Sequence, residues 1–198
     1  LVLVLDTCNE TYACLRNAIE ATWAYDLRAI GYKVLFYRGD PAIEEAYQPS
    51  ESSLIVPCHD GLHATCDKLL LALQYSLSKY SFPFVYRTNL SSYIDPRLFH
   101  LYCSSIPSSL ASTIYSGVIG RYYPLKSLAS SVRTLPISGL RGSFSSFEFA
   151  SGSGFFLGSS LVSTILEGKH LINRAYIDDV AIGHFLKGCN ISPSIQFR

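Results

Sequence analysis

Residues 81–95 read SFPFVYRTNLSSYID, and the fold is best deduced outward from them. Their first half, residues 82–86, is aromatic and β-branched, which predicts a buried strand. The second half is polar, with hydrogen-bond donors and acceptors on Arg87, Thr88, Asn89 and Ser91. A buried strand that ends in polar side chains is typical of the carboxyl edge of an open α/β sheet, where ligands bind. The alternative is a polar loop that only caps a core strand, and this segment alone leaves both interpretations open.

The N-terminal forty residues predict one β-α-β unit. Residues 1–5 form a continuous apolar run, typical of a strand buried on both faces. Apolar residues near a spacing of 3.6 predict a helix over residues 10–30, ended by Gly31. Residues 33–37 predict a second strand, and residues 38–41 a turn. Two strands joined by a helix form a parallel pair with a right-handed crossover.

The remaining chain continues the alternation of strands and helices. We predict a strand at residues 53–56, a helix at 62–80, the strand at 82–86 and a short helix at 96–102. Strand-like sequence follows at 112–119 and 122–123, and the serine-rich residues 126–149 predict a long irregular segment. Helices are predicted at 159–167 and 180–187. The chain is therefore expected to be a single α/β domain over residues 1–198, with a mostly parallel central mixed sheet flanked by helices.

Composition excludes several classes of protein. The chain has 198 residues, a net charge of +1 and 48% apolar residues, which fits a globular domain and gives no electrostatic case for a nucleic-acid partner. No apolar run approaches the roughly 20 residues of a membrane helix. Six cysteines lack a C-x-x-C pair, which argues against zinc. Methionine is absent, so we expect a fragment of a longer protein, either a soluble cytoplasmic domain or a lumenal one whose anchor was removed.

Two further segments carry groups suited to catalysis. Asp178 and Asp179 precede a predicted helix, where one carboxylate can cap free amides and the second can serve as a general base. Gly152, Ser153 and Gly154 lack the lysine of a phosphate-binding loop, but suit a close approach of backbone to a ligand or to a neighbouring strand.

Two cations on predicted helices and two histidines around a turn each allow more than one interpretation. Arg16 and Lys68 follow predicted strands, and are either solvated charges or cations that reach a diphosphate. His59 and His63 are spaced i, i+4, but nothing in the sequence is placed to complete a metal site.

Five motifs, in order, carry a resemblance to a known family. Residues 16–23 read RNAIEATW, similar to R-x-x-I-R-x-T-W, and Cys66 and Lys68 resemble a C-K pattern with one residue inserted. Residues 89–94 read NLSSYI where the family has D-D-D-N-Y-V. Residues 149–155, FASGSGF, resemble F-A-x-G-x-G-F, and residues 178–183, DDVAIG, resemble [ED]-D-V-x-x-G. The chain thus resembles the beta-1,3-glycosyltransferase superfamily that includes the fringe glycosyltransferases, and is also similar to capsid-glycosylating transferases of large DNA viruses.

The resemblance implies a Rossmann-like GT-A fold. It also implies inverting transfer of a hexosyl or deoxyhexosyl group from a nucleotide diphosphate sugar, UDP-linked, to a hydroxyl of a glycan or glycoprotein. An aspartate of the pair Asp178 and Asp179 would deprotonate the acceptor. The residues expected to bind the nucleotide sugar are Asp6, Thr7, Arg16, Lys68, Arg87, Thr88, Asn89, Ser91, Gly152 and Gly154.

One departure from the family pattern concerns its metal. The family's D-D-D binds a divalent ion, whereas Asn89 and Ser91 offer only neutral oxygens, and hard cations prefer carboxylates. Either the enzyme needs no metal and side-chain cations neutralise the diphosphate, or the chain is a degenerate transferase that only binds a nucleotide sugar or glycan. The intact aspartate pair and first-helix motif favour the enzyme. We therefore expect no required cofactor, with Mn²⁺ or Mg²⁺ as the alternative, and no metal-ligating residues.

Overall fold

A computed structural model describes residues 1–123 and 146–195. The strands are β1 (Val2–Leu5), β2 (Val34–Gly39), β3 (Tyr47–Ser50), β4 (Ser53–Val56), β5 (Phe84–Asn89), β6 (Tyr115–Tyr122), β7 (Phe147–Gly158) and β8 (Ser194–Ile195). The helices are α1 (Ala13–Ala21), α2 (Trp23–Ala29), α3 (Thr65–Lys79), α4 (Pro96–Ser105), α5 (Ser108–Ala111), α6 (Ser159–Glu167) and α7 (Asp178–Gly188). Short 3₁₀ turns cover Glu10–Tyr12, Leu62–Ala64 and Lys169–Leu171.

The described strands form one mixed sheet in the order β3-β4-β2-β1-β5-β7-β6-β8. The four central strands β4, β2, β1 and β5 are parallel, and β7 runs antiparallel to both β5 and β6. Val2 lies opposite Val34 in the β1–β2 pair, so the predicted parallel pair is confirmed. The α/β class and the largely parallel central sheet are confirmed with it. Among the described residues, no helix combines the length and hydropathy that crossing a membrane requires.

Helices cover both faces of the sheet because side chains alternate along each strand. On β1, Leu3 packs into a core with α3, α6 and α7, whereas Val2 and Val4 pack into a second core with α1, α2 and α4. Trp23 of α2 is almost completely buried in this second core. The two cores hold the parallel strands rigidly, so the polar residues that follow each strand are presented at one edge.

The predicted helix over residues 10–30 is divided in two at Thr22. Thr22 has φ −123° and ψ −113°, which separates α1 from α2. Its hydroxyl donates to the Ala18 carbonyl at 2.6 Å, a bond that competes with the helical ladder. Gly31 then adopts φ +94°, a conformation that glycine favours, and leads the chain into β2.

Several strand boundaries differ from the predictions. β3 was missed because it is an exposed edge strand that contains Pro49 and has no apolar alternation. Arg87, Thr88 and Asn89 were expected after the strand but belong to β5, because they pair with β1 on one side and, at Arg87, with β7 on the other. Residues 38–39 likewise extend β2. Of the predicted irregular segment 126–149, residues 126–145 lie outside the described residues. The end of the segment belongs to β7.

Candidate active site

The expected site residues fall into two groups at the carboxyl edge of the parallel strands. One group surrounds the ends of β1 and β2, and its members are Asp6, Thr7, Arg16 and Lys68. The other surrounds the end of β5, the middle of β7 and the start of α7, and its members are Arg87, Thr88, Asn89, Ser91, Gly152, Gly154, Asp178 and Asp179. Ligands bind at such edges in open α/β sheets.

A bulge in β7 forms the floor of the second group. Between the pairs Gly117–Phe155 and Ile119–Ala150, β6 advances two residues while β7 advances five. The bulged residues include Gly152 and Gly154. A Cβ at Gly152 would lie 2.7 Å from Arg87 Nη1, and a Cβ at Gly154 would lie 1.9 Å from the Tyr86 hydroxyl. A side chain at either position would therefore displace Arg87 or Tyr86, which approach the backbone there.

The polar end of β5 holds this bulge in place. The Gly152 carbonyl accepts hydrogen bonds from Arg87 Nη1 and from Asn89 Nδ2, the latter at 3.0 Å. The Ser153 carbonyl accepts from Thr88 Oγ1 at 2.9 Å and from Ser92 Oγ at 2.7 Å. The donors that were expected to face a ligand thus bind backbone carbonyls of β7.

Arg87 also forms a buried ion pair with the first aspartate of α7. Its Nη2 lies 2.6 Å from Asp178 Oδ2, and the two side chains are only 3% and 4% exposed. No described residue donates an aligned hydrogen bond to Asp178 Oδ2, so the contact is a charge pair. Burial raises the pKa of Asp178, and the charge of Arg87 opposes that rise. Arg87 Nε further donates to the Tyr37 hydroxyl at 3.4 Å.

The second aspartate, Asp179, is held by backbone amides instead. Its Oδ2 accepts from Gly152 N at 2.6 Å and its Oδ1 from Val180 N at 2.8 Å. An ionised carboxylate offers about four lone-pair sites, so these two bonds leave acceptor capacity on both oxygens. Asp179 is itself only 6% exposed. Two backbone amides thus orient its carboxylate at the start of α7.

Asn89 and Ser91, at the place of the family's D-D-D, supply no carboxylate oxygen for a divalent ion. Asn89 Oδ1 accepts from Ser91 N at 3.1 Å, Ser91 Oγ at 2.8 Å and Ser92 Oγ at 2.9 Å. The only carbonyl oxygen of the amide is therefore taken up by its own turn. In the described part of the chain, no three His, Cys, Asp or Glu side chains are grouped to hold a metal. This donor set does not fit a divalent cation.

The first group is organised around two ion pairs. Arg16 Nη1 lies 2.5 Å from Asp6 Oδ2, and Arg16 Nη2 donates to Ser53 Oγ at 2.6 Å. Asp6 is buried, which raises its pKa, while the Arg16 charge opposes the rise. Lys68 Nζ lies 3.1 Å from Asp60 Oδ1, and the lysine side chain is 3% exposed. Arg16, with a side chain 25% exposed, reaches solvent at the edge.

Sequence reasoning missed two residues of this group. Asp60, which with Gly61 is predicted only to end the strand at residues 53–56, binds Thr7, Cys8, Gly39 and Lys68. Arg38 was assigned to a turn, but it is the penultimate residue of β2 and is half-buried. Its charge, like that of Arg16, opposes the raised pKa of Asp6. The D-G pair and a lone cation after a strand carry little signal without the sheet that assembles them.

Comparison with known protein families gives a match over most of the chain. The model of a family described as galactosyltransferase matches residues 15–196, a range that contains all five motifs. The resemblance to sugar-transferring enzymes is therefore confirmed. No curated protein matches the chain.

Proposed function

The chain belongs to the galactosyltransferase family, a family of hexosyltransferases, and on that premise we propose the reaction that it catalyses. It transfers a hexose, galactose by the family's name, from a UDP-linked donor to a hydroxyl group of a glycan or glycoprotein. The configuration at the anomeric carbon is inverted. The transfer proceeds without a divalent metal.

The observation that carries this proposal is the placement of Asp179. It lies at the start of α7, where the carboxyl edge of β5 and the bulge of β7 meet, and backbone amides fix both of its oxygens. Asp178 is buried and its Oδ2 is held by the Arg87 guanidinium, which suits it less to accept a proton from a substrate. Asp179 is therefore the base of the pair, and Asp178 supports it.

The proposed step is a single displacement. The acceptor oxygen attacks the anomeric carbon while Asp179 takes the hydroxyl proton. The bond from that carbon to the diphosphate oxygen breaks, and its electron pair leaves with the diphosphate. Attack from the face opposite the leaving group inverts the configuration, and a positioned base lowers the barrier to that attack.

The charge of the leaving diphosphate has to be met by side-chain cations. Arg87 and Lys68, expected from the sequence in this role, have side chains that are only 3% exposed and are held by Asp178 and Asp60. Arg38 forms no ion pair with a described residue, and Arg16, although paired with Asp6, has a side chain that is 25% exposed. We therefore assign direct binding of the diphosphate to Arg38 and Arg16. Lys68 and Arg87 stabilise the conformation of this sheet edge.

A second candidate function is a non-catalytic domain that binds a nucleotide sugar or glycan. The observation in its favour is that Asn89 and Ser91 stand where the family has carboxylates. Release of UDP from a panel of UDP-hexoses, with and without an acceptor glycan, separates the two. Turnover that disappears in Asp179→Asn supports the transferase, whereas UDP binding with no turnover across the panel supports the binding domain.

A further inference from the structure

Asp60 makes an unusual number of contacts for a loop residue. Its Oδ2 accepts from the Thr7 hydroxyl at 2.7 Å and from the Cys8 amide at 2.7 Å. Its Oδ1 accepts from the Gly39 amide at 3.0 Å and from Lys68 Nζ at 3.1 Å. The four donors occupy the acceptor sites of one carboxylate.

These donors come from three separate elements of the candidate nucleotide site. Thr7 and Cys8 follow β1, Gly39 ends β2, and Lys68 lies in α3. A Cβ at Gly39 would lie 2.5 Å from the Cys58 carbonyl oxygen and 2.6 Å from that of His59. The loop that carries Asp60 is therefore packed directly across the end of β2. One side chain thus joins the strand ends to the helix behind them.

The ionisation of Asp60 is consistent with this role. Burial opposes its charge, but hydrogen bonds from Thr7, Cys8 and Gly39, with the charge of Lys68, outweigh burial and lower the pKa to about 2. The carboxylate is therefore ionised throughout the pH range of any transfer assay. Its effect on the site is therefore expected to be constant with pH.

We propose that Asp60 is a positioning residue for the donor. It holds the backbone after β1 and the end of β2 in the conformation that receives a nucleoside diphosphate, and it orients the Lys68 ammonium at the same edge. The proposal rests on the proposed function, since it assumes that this edge binds the donor. It predicts that Asp60 contributes to donor affinity and little to the chemical step.

The test is UDP binding by calorimetry, with steady-state kinetics and thermal denaturation on the same samples. Asp60→Asn keeps the shape of the side chain but replaces one carboxylate oxygen with an NH2 group. That group cannot accept hydrogen bonds from the donors around it. We expect it to weaken UDP binding and raise the KM for the donor at least tenfold, with kcat at saturating donor within threefold of wild type. Asp67→Asn is the matched control, because Asp67 pairs with Arg174 on the exposed side of α3, and it should bind UDP like wild type.

The outcomes separate the inference from its premise. Wild-type protein that fails to bind UDP overturns the proposed function itself. Wild-type binding with unchanged affinity in folded Asp60→Asn overturns only the positioning role. If Asp60→Asn does not fold, Asp60→Glu is used to test the positioning role. It keeps the charge beside Lys68 but displaces the carboxylate by one methylene. If Asp60→Glu binds UDP like wild type, or also fails to fold, Asp60 serves stability alone and the inference is overturned.

Discussion

The guanidinium of Arg87 lies 2.6 Å from the carboxylate of Asp178, and both side chains are almost completely buried. A buried pair recovers its desolvation cost only when the geometry is good and other hydrogen bonds satisfy the remaining polar atoms. Here Arg87 also bonds the Gly152 carbonyl and the Tyr37 hydroxyl. The pair therefore links β5, β7 and the first turn of α7, which are the elements that orient Asp179.

Breaking this pair from one side should be more damaging than removing it altogether. Arg87→Met leaves the Asp178 carboxylate buried without its partner, and we expect it to lower the free energy of unfolding by about 3–5 kcal/mol. The double variant Arg87→Met/Asp178→Asn should recover a large part of that loss. Urea denaturation of the single and double variants measures the coupling. Strictly additive losses would show that the two side chains do not depend on each other.

Asp179→Asn should abolish catalysis while sparing donor binding. The carboxamide can still accept from the Gly152 amide but cannot take the acceptor proton, so the transfer rate should fall by about 10²–10⁴-fold. The Kd for UDP should stay within a factor of about three. Transfer kinetics and calorimetry provide the two values. Full activity in both Asp179→Asn and Asp178→Asn would refute the assignment of the base to this pair.

Transfer activity should persist in excess chelator. Asn89 Oδ1 already accepts three hydrogen bonds, and neutral oxygens hold Mg²⁺ or Mn²⁺ weakly without a carboxylate. The measurement is the initial rate after treatment with EDTA, followed by addition of a series of divalent ions. Loss of activity on chelation, restored by one ion, would contradict the prediction and point to Asp95 or the aspartates of α7 as ligands.

Arg38→Gln should weaken donor binding without unfolding the protein. A charge-assisted hydrogen bond to phosphate contributes about 1.5–3 kcal/mol, and no described carboxylate is left unpaired when Arg38 is changed. Lys79→Gln, at the far end of α3 and exposed, is the matched control for the change in net charge. Calorimetric titration with UDP compares the two. Equal affinities in both variants would leave Arg16 and Lys68 as the cations that meet the diphosphate.

Gly154→Ala should destabilise the fold through its contact with Tyr86. The added Cβ would lie 1.9 Å from the Tyr86 hydroxyl oxygen, and overpacking of this kind costs about 1–3 kcal/mol. Tyr86→Phe in the same chain removes that oxygen and should restore part of the stability. Gly188→Ala is the control, because outside its chain neighbours and the backbone of its own helix no described heavy atom lies within 4 Å of the Cβ it would add. Thermal melting of the three variants gives the comparison, and a wild-type melting temperature for Gly154→Ala would identify Gly154 as an ordinary bulge residue.

The local pattern of residues was sufficient for the class of fold and for much of its order. Apolar runs and helical periodicity located β1, β4, α3 and α7 to within a few residues, and α6 with the same limits as the structure. These elements bury one continuous face or both faces, so their signal lies in neighbouring residues. The motifs that identify the family are also short and local. They and their order within residues 15–196 can therefore be recognised from the sequence alone.

The tertiary structure alone decided which polar groups bind each other. Arg87 is close to a strand end in sequence, yet its partner Asp178 comes from α7, a helix that packs against β7 beside β5. Asp60 binds groups from three elements that are distant in sequence and meet only in the fold. A charged side chain forms its ion pair with the group that burial brings within about 3–4 Å, and that distance depends on the packing of the whole sheet. The sequence therefore determined which chemistry the chain carries, and packing determined which residues are free to perform it.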